Sequence, residues 1–281
     1  MVVQAFDCHN HVHMGPTPVV SELPLRGMAI MSTQPPDYSV VSALAATTTR
    51  TTNSVVVPAF GVHPWWMHEL SDDDWERTKG DVEGEPPFVL PRWGWDLYQA
   101  VRDCPQAAVG ETGLDGFHFD PTTHELTCSM ETQVAAFRIH LDIAAKLDRP
   151  VSVHCVRSFG PLLETLSSSK RAKTLPRKVY FHAFGGKVGT VDQLVSICEE
   201  TYFGFAPVVN FRSPKTADVI RKIGIQRLVL ETDHEDAKLV PESMESGICF
   251  LSEALDLDRT TVIERTTENA MRLYNLSTDA L

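Results

Sequence analysis

The sequence has few cysteines and no long apolar run. Its six cysteines form no CxxC pair and no dense framework, so a disulfide scaffold is not indicated. The 281 residues contain no apolar stretch near twenty residues and do not open with a positively charged, apolar leader. We therefore expect a reduced, cytoplasmic or nuclear protein that is not secreted and has no membrane partner.

Basic residues are also scarce. The chain has 25 Lys and Arg residues against 37 Asp and Glu residues, which gives a net charge of -12 at pH 7. This balance argues against a broad basic face that holds nucleic acid by counterion release. It is compatible with a local positive site made by bound metal ions.

Hydrophobic residues are plentiful. At 43% hydrophobic and 22% charged residues the chain can bury a substantial core, and α/β barrels commonly have this length. We predict one domain over residues 1–281. The segment from Ser71 to Pro91 is rich in Asp, Gly and Pro, and we expect an elaborated loop packed on that domain.

Strand-like and helix-like segments alternate along the chain. We predict strands at residues 2–9, 28–32, 55–62, 107–111, 150–154, 178–182, 202–209 and 227–232. Helices are predicted at residues 38–49, 93–103, 131–146, 159–168, 190–200, 214–223, 246–256 and 259–274. Eight alternations of strand and helix favour an α/β fold of the single (β/α)8 TIM-barrel type over an open doubly wound sheet.

Residue types that bind metals stand at the ends of five strand-like runs. His9 and His11 are two residues apart, so in a strand they share a face and can bind one cation. Four later runs each end in one ligand type, namely Glu111, His154, His182 and Asp233. The carboxyl ends of parallel barrel strands converge on one face. The sequence therefore predicts a metal site assembled from distant parts of one barrel.

Six ordered motifs resemble those of the TatD family of metal-dependent deoxyribonucleases, within the amidohydrolase-type barrels. The motifs are DCHNH at residues 7–11, GVHP at 61–64, GETGLD at 110–115, VHC at 153–155, FHAFGG at 181–186 and LETD at 230–233. The segment ENAMRLY at residues 268–274 resembles the closing helix of that family. The resemblance runs from residue 5 to about residue 275 and implies a barrel hydrolase.

The resemblance also implies roles for individual residues. His9, His11 and Asp233 would surround one divalent cation, His154 and His182 a second, and Glu111 would lie between both. The cations would be Mg, Mn or Zn, and a hydroxide held by them would attack a phosphodiester bond of DNA, at strand ends or in single strands. Asp233 and Glu111 are thus the predicted catalytic residues, and Asp233 would orient the attacking water and accept its proton.

Three further residues are predicted to face the substrate. His63 resembles a family position beside the substrate, although it could equally cap the loop near Trp65. Arg157 comes one place later than the Arg usual in the family, and Lys187 replaces a small hydroxyl residue. After Asp233 the chain reads His-Glu-Asp, whose acids would repel a polyanion unless they face away.

The remaining histidines and the tryptophans are expected to be structural. We expect His68, His118, His124 and His140 in loops or on helix surfaces, solvated or locally bonded. The five tryptophans between residues 65 and 95 should pack in the core or in loops, although indole rings can also stack on nucleobases.

Three functions remain compatible with these residues. The first is a nuclease that acts on DNA. The second is a hydrolase of a small amide, lactone or phosphate ester, because the same metal chemistry attacks carbonyl groups and a fold does not fix its substrate. A deep closed pocket rather than an open groove would indicate this second function. The third is an inactive binding scaffold, against which the complete ligand set argues.

Overall fold

Eight parallel strands close into a barrel in the computed structural model, which describes residues 5–15, 22–51, 54–80 and 88–277. The barrel strands are β1 Phe6–Asn10, β2 Gly27–Met31, β3 Val55–Phe60, β6 Ala108–Asp115, β7 Val151–Val156, β8 Lys178–Phe181, β9 Glu200–Phe205 and β10 Leu228–Leu230. Around the barrel their order is β1-β10-β9-β8-β7-β6-β3-β2, and every neighbouring pair is parallel. The predicted (β/α)8 fold is confirmed.

Helices follow the barrel strands and cover the outside of the barrel. They are α1 Asp37–Thr51, α2 Asp72–Trp75, α3 Arg92–Asp103, α4 Met130–Lys146, α5 Phe159–Ala172, α6 Val188–Ile197, α7 Pro207–Asn210, α8 Thr216–Ile223, α9 Val240–Leu255 and α10 Arg259–Leu273. The strand predicted at residues 202–209 ends at Phe205, because Pro207 begins the short helix α7. Residues 2–4 of the first predicted strand lie outside the described residues.

The apolar core has two layers, separated by the two-residue alternation of the strands. On β2, Met28 and Ile30 belong to the layer between strands and helices, whereas Ala29 and Met31 belong to a second layer with Phe6 inside the barrel. Each large side chain that is fully buried contributes about 1.5 to 3 kcal/mol to folding. The two layers fix the strand ends, and with them the side chains that follow.

The segment between residues 71 and 91 carries a short helix and a hairpin. After α2, the antiparallel strands β4 Arg77–Gly80 and β5 Phe88–Pro91 pair with each other, while residues 81–87 lie outside the described ones. The hairpin packs on α3, where the indole of Trp95 donates a hydrogen bond of 3.2 Å to the carbonyl of Thr78. Packing of this segment on the barrel was predicted, but its secondary structure was not.

One histidine expected at the surface is a core residue. His140 on α4 is fully buried, and its Nε2 atom accepts a hydrogen bond of 3.0 Å from the backbone N–H of Val62. Burial lowers the pKa of His140 to about 4, so the ring is neutral and can accept this bond. The predicted surface position is therefore wrong, because α4 turns this face toward the barrel. The local bond that was the alternative to solvation is present, since Nδ1 donates 2.8 Å to the carbonyl of Ala136.

None of the helices in the described parts of the chain has the length and apolar character needed to span a membrane. The six cysteine thiols are unpaired.

Candidate metal centre

The six predicted ligands meet at the carboxyl ends of the strands, around the carboxylate of Glu111. The Oε2 atom of Glu111 lies 3.3 Å from Nε2 of His9 and 3.1 Å from Nε2 of His11. The Oδ1 atom of Asp233 lies 3.7 Å and 3.6 Å from the same two nitrogens. These atoms surround one small volume, of the size that a single cation fills.

The other oxygen of Glu111 faces a second set of imidazoles. Its Oε1 atom lies 3.0 Å from Nδ1 of His154 and 2.6 Å from Nε2 of His182. The two oxygens of one buried carboxylate therefore address two separate groups of nitrogen atoms. A carboxylate placed in this way has one oxygen for each of two groups of possible metal ligands.

Hydrogen bonds on the far side of two rings fix which nitrogen is free to bind a metal. Nδ1 of His11 is 3.0 Å from the carbonyl of Met31, and Nε2 of His154 is 3.0 Å from Oδ2 of Asp115. A carbonyl and a carboxylate only accept, so in the neutral rings these nitrogens carry the proton. The remaining nitrogen of each ring then presents its lone pair to Glu111, as a metal ligand must.

The other two rings are held less completely. Nδ1 of His9 lies 3.1 Å from the hydroxyl of Ser152, which can accept its proton. Nδ1 of His182 is buried and makes no hydrogen bond within the described residues, while the ring of His182 stacks on that of His9 at 3.8 Å between centroids. All four rings nevertheless point a nitrogen at Glu111, so the donor set fits divalent Zn or Mn by ligand type, and Mg with added water.

Two buried carboxylates outside the ligand set hold the strand ends in place. Asp7 accepts hydrogen bonds from the backbone N–H groups of His9 and Thr232, which ties the end of β1 to the end of β10. Glu231 accepts from the backbone N–H of Ala183, at 2.6 Å, and from the hydroxyl of Tyr180. These bonds fix the backbone of His9 itself and of Ala183 and Thr232, which adjoin His182 and Asp233.

A close approach of two strands explains the glycine at position 113. Gly113 has a φ of +147°, and a Cβ atom there would collide with the carbonyl oxygen of His154 on the neighbouring strand. A side chain at this position would therefore push apart β6 and β7, which carry Glu111 and His154.

Burial and carboxylates divide the imidazoles into two electrostatic classes. Burial lowers the pKa of His9 to about 3, so this ring is neutral at pH 7. For His154, burial is outweighed by hydrogen bonds to Asp115 and Glu111, which raise its pKa to about 9. For His11, hydrogen bonds to Asp233 and Glu111 outweigh burial and raise the pKa well above its usual value. A bound metal cation would displace the extra ring protons of His11 and His154. Its positive charge would then balance the negative charge of the carboxylates in their place.

His63 lies beside the six predicted metal ligands, and its ring also faces Glu111. Its Nε2 atom is 3.4 Å from Oε1 of Glu111, and its ligand atoms group with those of Glu111 and His154 within 4.8 Å. However, Nδ1 of His63 accepts a hydrogen bond of 3.2 Å from the backbone N–H of Trp65. Burial lowers the pKa of His63 to about 4, so the neutral ring carries its proton on Nε2 and is a donor toward the cavity.

Arg157 and Lys187 lie away from the metal ligands. Both are exposed and line a cavity of about 700 Å³, whereas the cavity of about 220 Å³ at the metal ligands is lined by His63, Trp65 and Glu235 among others. The guanidinium carbon of Arg157 lies 3.8 Å from the ring centre of Phe117. The structure thus brings His63 to the predicted metal ligands. It places the side chains of Arg157 and Lys187 on an adjoining surface.

Asp115 is a functional candidate that the sequence reasoning did not single out. Its Oδ2 atom accepts from Nε2 of His154 and, at 2.7 Å, from the indole N–H of Trp65. Hydrogen bonds from His154 and Trp65 outweigh burial and lower the pKa of Asp115 to about 2, so it is ionised. The signal was its spacing, because residues 111, 113 and 115 share one face of a strand.

We expect Asp115→Asn to weaken binding of a divalent cation by about 10- to 100-fold, because the amide no longer fixes the proton on Nε2 of His154. Titration of the metal-free protein with Mn²⁺ measures this affinity. Asp120→Asn is a matched control, since Asp120 lies on the following loop, where its carboxylate accepts the backbone N–H groups of Thr122 and Thr123. Equal Mn²⁺ affinity of Asp115→Asn and wild type would show that this carboxylate does not orient a ligand.

A parallel barrel that gathers imidazoles and carboxylates at the carboxyl ends of its strands defines a metal-dependent hydrolase. The chain belongs to the TatD family, since the family described as TatD related DNase matches residues 6–275.

Individual relatives cover most of the chain at low identity. The Cut9-interacting protein scn1 of Schizosaccharomyces pombe is 23% identical in an alignment 327 positions long. This alignment covers 94% of this chain and 96% of that protein. The 3'-5' ssDNA/RNA exonuclease TatD of Edwardsiella piscicida is 27% identical over 212 residues, which cover 69% of this chain and 77% of that protein. The crystal structure of YJJV, a TatD homolog from Escherichia coli, has a TM-score of 0.76 at 23% identity and covers 99% of this chain and 100% of that chain, which shows a shared fold.

Proposed function

We propose that this protein hydrolyses phosphodiester bonds at the ends of single-stranded DNA with the help of two divalent cations. The observation that carries the proposal is the position of Glu111, whose two oxygens face two separate sets of imidazole nitrogens. Paired cations about 3.5 to 4 Å apart suit an in-line displacement at phosphorus, because they stabilise both the attacking and the leaving oxygen.

The ligands divide between the two cations as follows. One cation would be held by Nε2 of His9, Nε2 of His11 and Oδ1 of Asp233, and the other by Nδ1 of His154 and Nε2 of His182. Glu111 would contribute one oxygen to each. When bound, the cations supply positive charge to the phosphate oxygens and lower the pKa of a water molecule.

Asp233 is the proposed proton acceptor. Hydrogen bonding to His11 and the positive charge of nearby imidazoles outweigh burial and lower the pKa of Asp233 to about 2, so the carboxylate is ionised at neutral pH. Its side chain is 19% exposed, unlike the fully enclosed ring of His9, and it lines the cavity. Asp233 can therefore orient a water molecule from the cavity and take up its proton.

His63 is proposed to bind the substrate rather than a cation. Its Nδ1 atom already accepts the backbone N–H of Trp65, so Nε2–H is directed at the cavity beside Glu111. A donor at this place can bind an oxygen of the scissile phosphate and hold it for in-line attack.

The choice of nucleic acid over a small ester has two supports. A relative with 27% identity carries the name 3'-5' ssDNA/RNA exonuclease. In addition, the cavity at the ligands borders exposed side chains, with Trp65 at 39% and Met14 at 43% exposure, so it is not a closed pocket shaped for one small molecule. The scaffold alternative is weakened by the complete ligand set, although the name of the fission yeast relative concerns a protein interaction.

The test combines metal content with turnover. We expect the protein stripped with EDTA to be inactive, and Mg²⁺ or Mn²⁺ to restore stepwise shortening of a labelled single-stranded oligonucleotide. A circular single strand of the same sequence is the matched control and should survive, because it has no end. Hydrolysis of a small carboxylic ester or lactone under the same conditions, with the linear strand left intact, would favour the second function instead.

A further inference from the structure

Three aromatic side chains are exposed beside the candidate metal centre. Trp65 is 39%, Phe117 is 50% and Phe119 is 45% exposed, and these are the aromatic residues among the large hydrophobic side chains exposed in the described part of the chain. The indole of Trp65 stacks on His118 with ring centres 4.5 Å apart, and Phe117 meets Phe119 edge to face at 5.8 Å. We call Trp65, Phe117, His118 and Phe119 the aromatic rim.

The rim is held in place rather than loosely attached. Oδ1 of Asp115 accepts the backbone N–H groups of Phe117 and His118, at 2.7 Å and 3.1 Å, and Oδ2 of the same carboxylate accepts the indole N–H of Trp65. Phe119 forms an isolated antiparallel bridge with Leu126. One face of Trp65 stacks on His118, and the guanidinium of Arg157 lies over the ring of Phe117. The part of each ring that stays exposed can contact a ligand without being ordered first.

Basic side chains continue the aromatic rim around the barrel mouth. Trp65 follows β3 and Phe117 follows β6, while Arg157, Lys187 and Lys215 follow β7, β8 and β9, the next three strands around the barrel. These three basic side chains line the cavity of about 700 Å³. The one acid in its lining, Asp218, already pairs with Arg221 at 2.7 Å. Rings and cations therefore form one continuous arc.

Acidic residues stand where this arc ends, after β10, the strand next to β9. The loop after β10 carries Glu235, which is exposed and lines the cavity at the metal ligands, and Asp236. A polyanion is repelled there and attracted to the arc of rings and cations. The protein has a net charge of -12, so most of its surface repels a phosphate chain. The basic side chains of the arc give such a chain a local place to bind.

We infer that the aromatic rim is a nucleobase subsite for a single strand whose scissile phosphate lies at the metal centre and whose neighbouring phosphates follow Arg157, Lys187 and Lys215. The inference rests on the proposed nuclease function and names its substrate class. Stacking needs the open face of an unpaired base, which a duplex does not offer.

Matched substitutions at Trp65 isolate the ring. Trp65→Phe and Trp65→Leu both lose the N–H bond to Asp115, but only Trp65→Phe keeps an aromatic face. Binding of a labelled thymidine 12-mer would be measured by anisotropy with Mn²⁺, in an Asp233→Asn background that prevents cleavage. A 12-mer of abasic residues is the matched ligand, because it has the same phosphates without bases.

We expect Trp65→Leu to bind the thymidine strand about 5- to 150-fold more weakly than the background protein, and Trp65→Phe to retain most of the affinity. Phe117→Leu, whose ring is half exposed, should give a smaller loss in the same direction. The abasic strand should bind all these proteins equally, and a blunt duplex should show no dependence on residue 65.

Two results would overturn the inference. One is equal binding of the thymidine strand by Trp65→Leu, Trp65→Phe and the background protein, and the other is an equal loss for the abasic strand. Either result, with wild-type cleavage of single strands intact, would leave the proposed function standing. Failure of the metal-loaded wild type to cleave any strand, with the base-dependent binding present, would instead overturn the nuclease activity and support the subsite.

Discussion

Replacing Asp233 with Asn should lower turnover of single-stranded DNA by about 100- to 10,000-fold, because the amide cannot accept the proton of the attacking water. The fold should survive, since Asp233 has a φ of +58°, a conformation that Asn also tolerates. Its backbone N–H donates 2.9 Å to the carbonyl of His9, and this bond does not depend on the side chain. The loss should therefore appear in kcat, while the unfolding temperature stays within about 5 °C of wild type.

Asp236→Asn is the control for this substitution. It makes the same chemical change three residues later, where Asp236 Oδ1 accepts the backbone N–H of Lys238 and an amide oxygen can do the same. We expect its kcat to remain within about twofold of wild type. Equal turnover by Asp233→Asn and wild type would remove Asp233 from the reaction and discard the assigned site.

Glu111→Gln should abolish activity by removing both cations together. The substitution keeps the shape of the side chain but takes away the charge that faces His11 and His9 on one side and His154 and His182 on the other. We expect Mn²⁺ affinity to fall by more than the roughly 10- to 100-fold predicted for Asp115→Asn, because a direct ligand of both cations is lost. Elemental analysis and Mn²⁺ titration measure this loss.

The same substitution should change the pH dependence of stability in the metal-free protein. Electrostatic interactions with the surrounding imidazoles, that of His182 being the largest, and a hydrogen bond from His11 outweigh burial and hold the pKa of Glu111 well below its usual value of 4.5. A carboxyl group with a lowered folded-state pKa stabilises the fold above its unfolded pKa, and this contribution is lost as pH falls through the folded value. Wild type should therefore lose stability on acidification below about pH 4.5 more steeply than Glu111→Gln.

The exposed helix residue Glu164 on α5 provides the control, because Glu164→Gln makes the same change at the surface. It should leave both metal content and the acid dependence of unfolding unchanged. Retention of one full equivalent of tightly bound Mn²⁺ by Glu111→Gln would contradict a bridging carboxylate and indicate two independent sites.

The convergence of the ligands could be predicted because it depends only on strand ends. In a parallel barrel every strand delivers its last side chains to the same face, so His9, Glu111 and Asp233 were assigned to one face without any coordinates. The ring partners could not be predicted in this way. The contact between His154 and Asp115, and that between His9 and Ser152, join separate strands, and their register is set by packing.

The substrate side of the centre was less accessible to sequence reasoning. His63 was left open between substrate binding and loop capping. Its Nδ1 atom caps the loop, while its Nε2 atom faces Glu111, and substrate binding by this ring stays a prediction. Arg157 and Lys187 stay predictions as substrate contacts, now on the surface next to the metal ligands. The single-domain organisation over residues 1–281 and the cytoplasmic or nuclear location also stay predictions.

The amino-acid sequence by itself determined the barrel, its strand ends and the chemical types of the ligands, because alternating apolar patterns and chain order are local properties. Tertiary structure alone decided which imidazole nitrogen faces Glu111, that Asp115 links His154 to Trp65, and that one of five tryptophans is exposed at the mouth. These outcomes depend on how neighbouring strands and loops are placed relative to one another, and a distance between residues remote in sequence is fixed only when the core packs.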